Sequence, residues 1–195
     1  MCAMLFVTLR KSIAHKVRSY SSSLPRVIAM LHSLTNARVL TPDGWRNDLA
    51  VVLDGDRIVD LLPLSAARVR DAQQHDLHGA MLLPGFIDVQ VNGGGGVLFN
   101  EAPTVETLRR IGAAHRRYGT TGFLPTLISD DVAVMRAALA AVEQALAEGV
   151  PGVLGIHLEG PYLAPARKGV HDAKYFHAPG SDELALLCAP HRGVR

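Results

Sequence analysis

Two apolar runs that each end abruptly in polar side chains and glycines constrain this chain more than any other feature. The first is Leu83-Pro84-Gly85-Phe86-Ile87-Asp88-Val89-Gln90-Val91-Asn92-Gly93. The second is Gly155-Ile156-His157-Leu158-Glu159-Gly160-Pro161-Tyr162-Leu163, followed after a short gap by Lys168-Gly169-Val170-His171. A nearly continuous apolar run is the pattern of a strand buried on both faces of a parallel sheet. Polar groups at the carboxyl ends of several such strands are where parallel barrels keep their chemistry. The two runs therefore predict one shared pocket.

The rest of the chain supports consecutive βα units. Residues 35–40, 49–53 and 57–62 read as short strands, with Asp54-Gly55 as a hairpin signal, and together they predict a small β subdomain over 30–80. Residues 81–91 read as one buried strand that opens the main domain, 81–195. Val105, Leu108, Ile111 and His115 then mark a helix closing at Gly119, and 122–128 a second buried strand. Ser129 is a good N-cap residue, with Asp130 and Asp131 in the first turn of a helix carrying Val132, Met135, Leu139, Val142 and Leu146 on one face and stopping at Gly149. A third strand is expected over 153–158, and Ser181-Asp182-Glu183 opens another helix. The glycine run 93–96 lacks the Gly-Lys-Ser/Thr of a P-loop and reads as a tight loop. The predicted class is α/β; periodicity alone leaves the parallel sheet open or closed, and the polar strand ends favour the first portion of a (β/α)8 TIM-type barrel preceded by a small β-sandwich subdomain. A complete barrel needs about 250 residues, and this chain has 195, so the expectation is a truncated barrel.

The formal net charge of +2 is unevenly spread. Residues 1–42 hold six basic side chains, Arg10, Lys11, Lys16, Arg18, Arg26 and Arg38, and no acidic one. Twenty basic residues less these six leaves fourteen, against eighteen acidic residues. That body gives no electrostatic reason to expect nucleic acid. The basic leader 1–29 has three readings: sequence upstream of a start at Met30, an Arg- and Ser-rich transit peptide, or a disordered tail. No run of about 18 apolar residues predicts a membrane span. Cys2 and Cys188 make neither a disulfide framework nor a zinc pair and read as inert thiols in a reducing compartment.

A strand-end carboxylate such as Glu159 is costly to bury unless it is paired or bound to a cation; taken alone, it is more often an ion-pair partner than a metal ligand. His157 shares the face of Glu159 by the period of two and is either a supporting partner or a satisfied core histidine. Gln90 and Asn92 bear amides, which are weak ligands for zinc or iron. Arg167 and Lys168 could attract an anion, against the blander reading of a solvated loop. His75, His78, His115, His177 and His191 show no ligand spacing.

His157-Leu158-Glu159-Gly160-Pro161 with Lys168-Gly169-Val170-His171, and Pro84-Gly85-Phe86-Ile87-Asp88 upstream, resemble the N-acetylglucosamine-6-phosphate deacetylases of the amidohydrolase superfamily, from about residue 34 to residue 187. The resemblance implies hydrolysis of the N-acetyl group of N-acetylglucosamine 6-phosphate to glucosamine 6-phosphate and acetate. It implies that Glu159 ligates a divalent metal, zinc or iron, together with two histidines from later strands, and that Val170 and His171 contact substrate. Gln90 and Asn92 stand where most amidohydrolases have His-x-His, which implies one metal per site and weakens a dihydroorotase or adenine deaminase as the alternative. The family's general-base Asp matches no residue of this chain, so a second alternative is a noncatalytic fragment that needs a complementing chain. The resemblance further implies a small amino-sugar phosphate as partner, homodimers among full-length members, and a cytoplasmic location.

Overall fold

The structure, a computed structural model, describes residues 4–7 and 30–193. The chain divides into two compact units, Met1–Gly85 and Phe86–Arg195. The three readings of the basic leader fall outside the described residues, except that Met4–Val7 forms a strand, β1.

In the first unit the strands are β1, β2 (His32–Thr35), β3 (Arg38–Thr41), β4 (Gly44–Arg46), β5 (Leu49–Asp54), β6 (Arg57–Pro63), β7 (Gln73–Asp76) and β8 (Met81–Pro84), with a short helix α1 (Ala67–Asp71) before β7. They form two four-stranded sheets, ordered β1-β8-β3-β4 and β6-β5-β2-β7. Leu34, Ala37, Val39, Val51 and Leu82 make one buried cluster, with Leu53, Ile58 and Leu77 packed against it. Val52 and Ala50 point to the other face of their sheet, as the period of two requires, and pack there with Val69 of α1. The sequence-expected strand over 35–40 is instead two strands, because the chain turns at Asn36, which adopts a left-handed φ of 51° and donates from Nδ2 to Asp76 Oδ1 at 2.7 Å. The hairpin expected near Asp54-Gly55 is present, with Asp54 paired to Arg57.

The second unit contains β9 (Phe86–Val91), β10 (Gly93–Gly94), β11 (Val97–Leu98), α2 (Val105–Arg116), β12 (Thr120–Ile128), α3 (Val132–Ala147), β13 (His157–Glu159) and α4 (Ser181–Cys188). Its main sheet runs β13-β12-β9, with both pairings parallel. The core gathers Phe99, Leu108 and Ile111 with Phe123, Met135, Val142 and Ile156, all at most 2% exposed. Thr104 caps α2, its side chain accepting from the Thr107 amide at 3.2 Å, which satisfies one of the free donors of the first turn.

Four local expectations are corrected. Residues 81–91 are two strands, not one: Met81–Pro84 joins the first unit and Phe86–Val91 the second. Nor is β9 buried on both faces, since it borders its sheet and Phe86, Ile87 and Val89 are exposed. Residue 153 contributes only a single bridge to Phe123, and the regular third strand begins at His157. Ser129 does not cap α3; Asp131 holds that position, without a side-chain cap, and no acidic residue lies in the first turn. The glycine run is a miniature hairpin in which Gly93 pairs with Leu98 and Gly94 with Val97. Gly95 and Gly96 form its tip with φ of 62° and 79°, positive values at both central positions that a tight primed turn demands. A closed barrel is not present among the described residues; the architecture is mixed α/β, with a three-stranded parallel sheet flanked by helices.

Phe123 is central to the second unit, contacting the face of α2 at Gly112, where an added Cβ would lie 3.0 Å from its ring. Replacing Phe123 with Ala should lower unfolding free energy by about 3–5 kcal/mol, read from urea denaturation. A loss within about 0.5 kcal/mol, the range of a surface substitution, would show that this ring does not hold the core.

Candidate active site at the strand ends

Parallel register brings the carboxyl ends of β9, β12 and β13 to one side of the sheet. Ile128 pairs with Glu159, Thr126 with His157, and Pro125 with Val91. The polar residues at or just beyond these ends are Gln90, Asn92, Ser129 and Glu159.

Glu159 is the centre of the group. Its Oε2 accepts from Gln90 Nε2 at 2.9 Å, and its Oε1 lies 3.5 Å from Nε2 of His171. The Glu159 side chain is about one-third exposed, at 31%, whereas that of His171 is only 5% exposed. The carboxylate thus meets solvent on one side and a buried imidazole on the other. Glu159 and His171, singled out separately in the sequence, are brought together here, and Gln90 joins them as a hydrogen-bond donor to Glu159.

His171 reaches this position because Ser129 holds it. The Ser129 backbone N–H donates to Nδ1 of His171 at 3.3 Å, and the Ser129 hydroxyl lies 2.8 Å from the same atom. A backbone amide can only donate, so Nδ1 carries the lone pair and the neutral ring bears its proton on Nε2. That N–H faces Glu159. Gly160 permits the approach: its φ is 85°, and a Cβ there would collide with the Ser129 hydroxyl.

Asn100 braces Ser129 from the other side. It donates from Nδ2 to the Ile128 carbonyl at 3.1 Å and to Asp130 Oδ2 at 2.9 Å, while its Oδ1 accepts from the Ile128 amide at 3.1 Å. Neither Asn100 nor the true role of Ser129 is legible in the sequence, where Ser129-Asp130-Asp131 carries a strong helix-start pattern and Asn100 carries none.

The remaining expected residues sit differently. His157 is half-buried and its Nδ1 lies 3.1 Å from Thr126 Oγ1, a partnership across two strands. Asn92 is exposed, and its backbone carbonyl accepts from Phe99 at 2.9 Å. Val170 is 87% exposed, on the loop that carries His171. The Lys168 ammonium turns back to the His171 carbonyl at 3.4 Å, so it helps shape that loop.

A second cluster fastens the loop to α4. Glu183, 7% exposed, accepts from the Gly180 amide at 2.8 Å and from Nε2 of His177 at 2.7 Å. The Gly180 amide and then His177 hold its carboxyl below the ordinary value, and the bond to Glu183 raises His177. The Tyr162 hydroxyl is buried nearby without an aligned hydrogen bond, and burial pushes the phenol up, with the Glu183 charge adding to it. His177, which shows no ligand spacing in the sequence, has a structural part: this contact.

Among the described residues no group of three or more His, Cys, Asp or Glu side chains converges as a metal site. Glu159 is a single carboxylate with an amide and an imidazole as neighbours, so these residues do not by themselves fit a metal centre. No helix among the described residues is long and apolar enough to cross a membrane.

Parallel strands joined through helices, with carboxylate, amide and imidazole groups gathered past their carboxyl ends, define a mixed α/β protein with a polar strand-end cluster. No family model matches the chain. By sequence and by fold it is nonetheless similar, over part of their length, to N-acetylglucosamine- and N-acetylgalactosamine-6-phosphate deacetylases. It is 42% identical over 160 residues to an N-acetylgalactosamine-6-phosphate deacetylase of Shewanella sp. (strain ANA-3), covering 82% of this chain and 41% of that protein. It is 35% identical over 159 residues to the N-acetylglucosamine-6-phosphate deacetylase of Haemophilus influenzae, covering 82% of this chain and 42% of that one. The crystal structure of the N-acetylglucosamine-6-phosphate deacetylase of Pasteurella multocida superposes with a TM-score of 0.75 at 36% identity, over 82% of this chain and 42% of that chain. The chain thus spans about two fifths of the length of the relatives it matches.

Two outcomes test this geometry. Long-range 1H–15N spectra of neutral His171 should show the proton on Nε2; a proton on Nδ1 would contradict the Ser129 contact. In Glu183→Gln, His177 should titrate at lower pH than in the parent chain, and an unchanged midpoint would remove Glu183 as the cause. By linkage, the raised His177 contributes stability below its unfolded value that is lost as pH rises through its folded one. The depressed Glu183 contributes above its unfolded value and is lost as pH falls through its folded one. The latch is therefore complete between roughly pH 4.3 and 6.5, and exchange of the Gly180 amide, corrected for its intrinsic pH dependence, should be most protected there.

Proposed function

We propose that this chain carries a portion of the active site of an amide hydrolase that removes the acetyl group from N-acetylglucosamine 6-phosphate, giving glucosamine 6-phosphate and acetate in the cytoplasm. The observation that carries the reading is the Glu159 carboxylate at a parallel strand end, gripped by Gln90 and facing the Nε2–H of His171. The names of the relatives support the substrate class. In this reading His171 donates to an oxygen of the sugar phosphate, Ser129 keeps its ring in the donor tautomer, and Val170 offers backbone beside it. Glu159 is proposed as one ligand of a single divalent ion, zinc or iron, that is completed only when further donors join it. The chain alone should accordingly bind such an ion weakly and release no acetate.

A second substrate has a specific observation in its favour. The relative at 42% identity is named for N-acetylgalactosamine 6-phosphate, which differs in configuration at one hydroxyl, so both sugars belong in the assay.

The test is a chimera in which residues 86–193 replace the matching segment of the Haemophilus influenzae relative, assayed for acetate release from both sugar phosphates. The chimera should be active, and Glu159→Ala should cost more than the roughly 10–100-fold expected for loss of an outer partner of a metal ligand. An active chimera indifferent to Glu159→Ala would overturn the assignment.

A further inference from the structure

In the first unit, parallel pairing sets His32 opposite Gln73 and Leu34 opposite His75. His32 and His75 are therefore diagonal neighbours on one face of the sheet. Nδ1 of His32 lies 2.8 Å from Nε2 of His75, with ring centroids 5.1 Å apart and planes inclined by 29°. The rings meet nitrogen to nitrogen, one N–H donating to the other's lone pair. Leu53 pairs with His32 on the opposite side, and His75, on the edge strand β7, is open to solvent.

We propose that His32 and His75 form a two-imidazole binding site for a divalent transition-metal ion of the copper, nickel or zinc class. The chemistry is replacement with a change of tautomer: the ring that donates the shared hydrogen releases that proton to solvent and takes one up from solvent on its other nitrogen, so both imidazoles stay neutral and the ion takes a lone pair from each. Two metal–nitrogen bonds of roughly 2.0–2.1 Å, at angles between square and tetrahedral, set the nitrogens roughly 2.8–3.4 Å apart. The observed 2.8 Å needs at most a small opening, which the exposed His75 ring can supply. Neutral imidazole selects copper, nickel and zinc over magnesium or calcium, and copper binds most tightly of the series. No third His, Cys, Asp or Glu converges with the pair among the described residues, so water completes the coordination and affinity is modest. Bound metal would fasten β7 to β2 at the border of the sheet. The site is independent of the strand-end carboxylate and of any deacetylase activity.

The ligands come from positions 43 residues apart in sequence, which is why spacing alone assigns no ligand role to His75. His78, near in sequence, faces Asp76 instead, with Nδ1 3.5 Å from its carboxylate, and serves as a control.

The test uses the full chain without an affinity tag, titrated with Cu2+ by calorimetry at neutral pH. His32→Gln and His75→Gln should each weaken the Cu2+ event by at least about tenfold, the lower bound seen for perturbing a metal shell, while His78→Gln leaves it in place. Absence of binding, or binding that survives both single variants, would overturn the site. Since either variant could loosen the sheet, the parent chain provides a second reading. Substoichiometric Cu2+ should broaden the imidazole signals of His32 and His75 before those of His115, His171 and His177; broadening that begins elsewhere would also overturn it.

Discussion

Ser129 donates its backbone N–H to Nδ1 of a buried histidine 42 residues further along the chain, and the geometry of the strand-end site depends on that contact. Without it, the loop after β13 would have no specific attachment to the end of β12. With it, the His171 ring is fixed in one tautomer and its remaining proton is aimed at Glu159. The cost of burying a polar ring is offset because both of its nitrogens face polar groups. Asn100 on one side and Gly160 on the other make the contact possible. The former pins the backbone around Ser129, and the latter leaves room for its hydroxyl.

The same loop is held at its far end by Glu183. Its carboxylate satisfies the Gly180 amide at the start of α4 and the His177 ring together. Polar attachments at His171 and at His177 and Gly180 thus hold the loop after β13. The segment contributes little to the main apolar cluster, which is made by β12, α2 and α3 with their flanking loops. These hydrogen bonds, more than contacts with that cluster, set its position.

What could be read from the sequence follows from which forces are local. The helices at Val105 and Val132, the hairpin at Asp54 and the strand ending at Ile128 were legible because periodicity and turn chemistry act over a few residues. Glu159 was legible because an acidic side chain closing an apolar run is conspicuous. The strand over 81–91 misled because Gly85 divides two runs with the same apolar character, and composition cannot tell which sheet each joins. Ser129 misled for a related reason: Ser-Asp-Asp before an apolar helix satisfies every local rule for a cap, yet the long-range contact to His171 prevails. Asn100, His177 and the His32–His75 pair were invisible, since each acquires meaning only through partners that the fold supplies.

The most direct test is hydrogen exchange at the Ser129 amide, measured in the parent chain, in His171→Ala and in His157→Ala. The Ser129 amide should be protected in the parent chain, lose protection when His171 is removed, and keep it when His157 is removed. Equal protection with and without the His171 ring would contradict the account, because the end of β12 and the loop that carries His171 would then not be joined through Ser129.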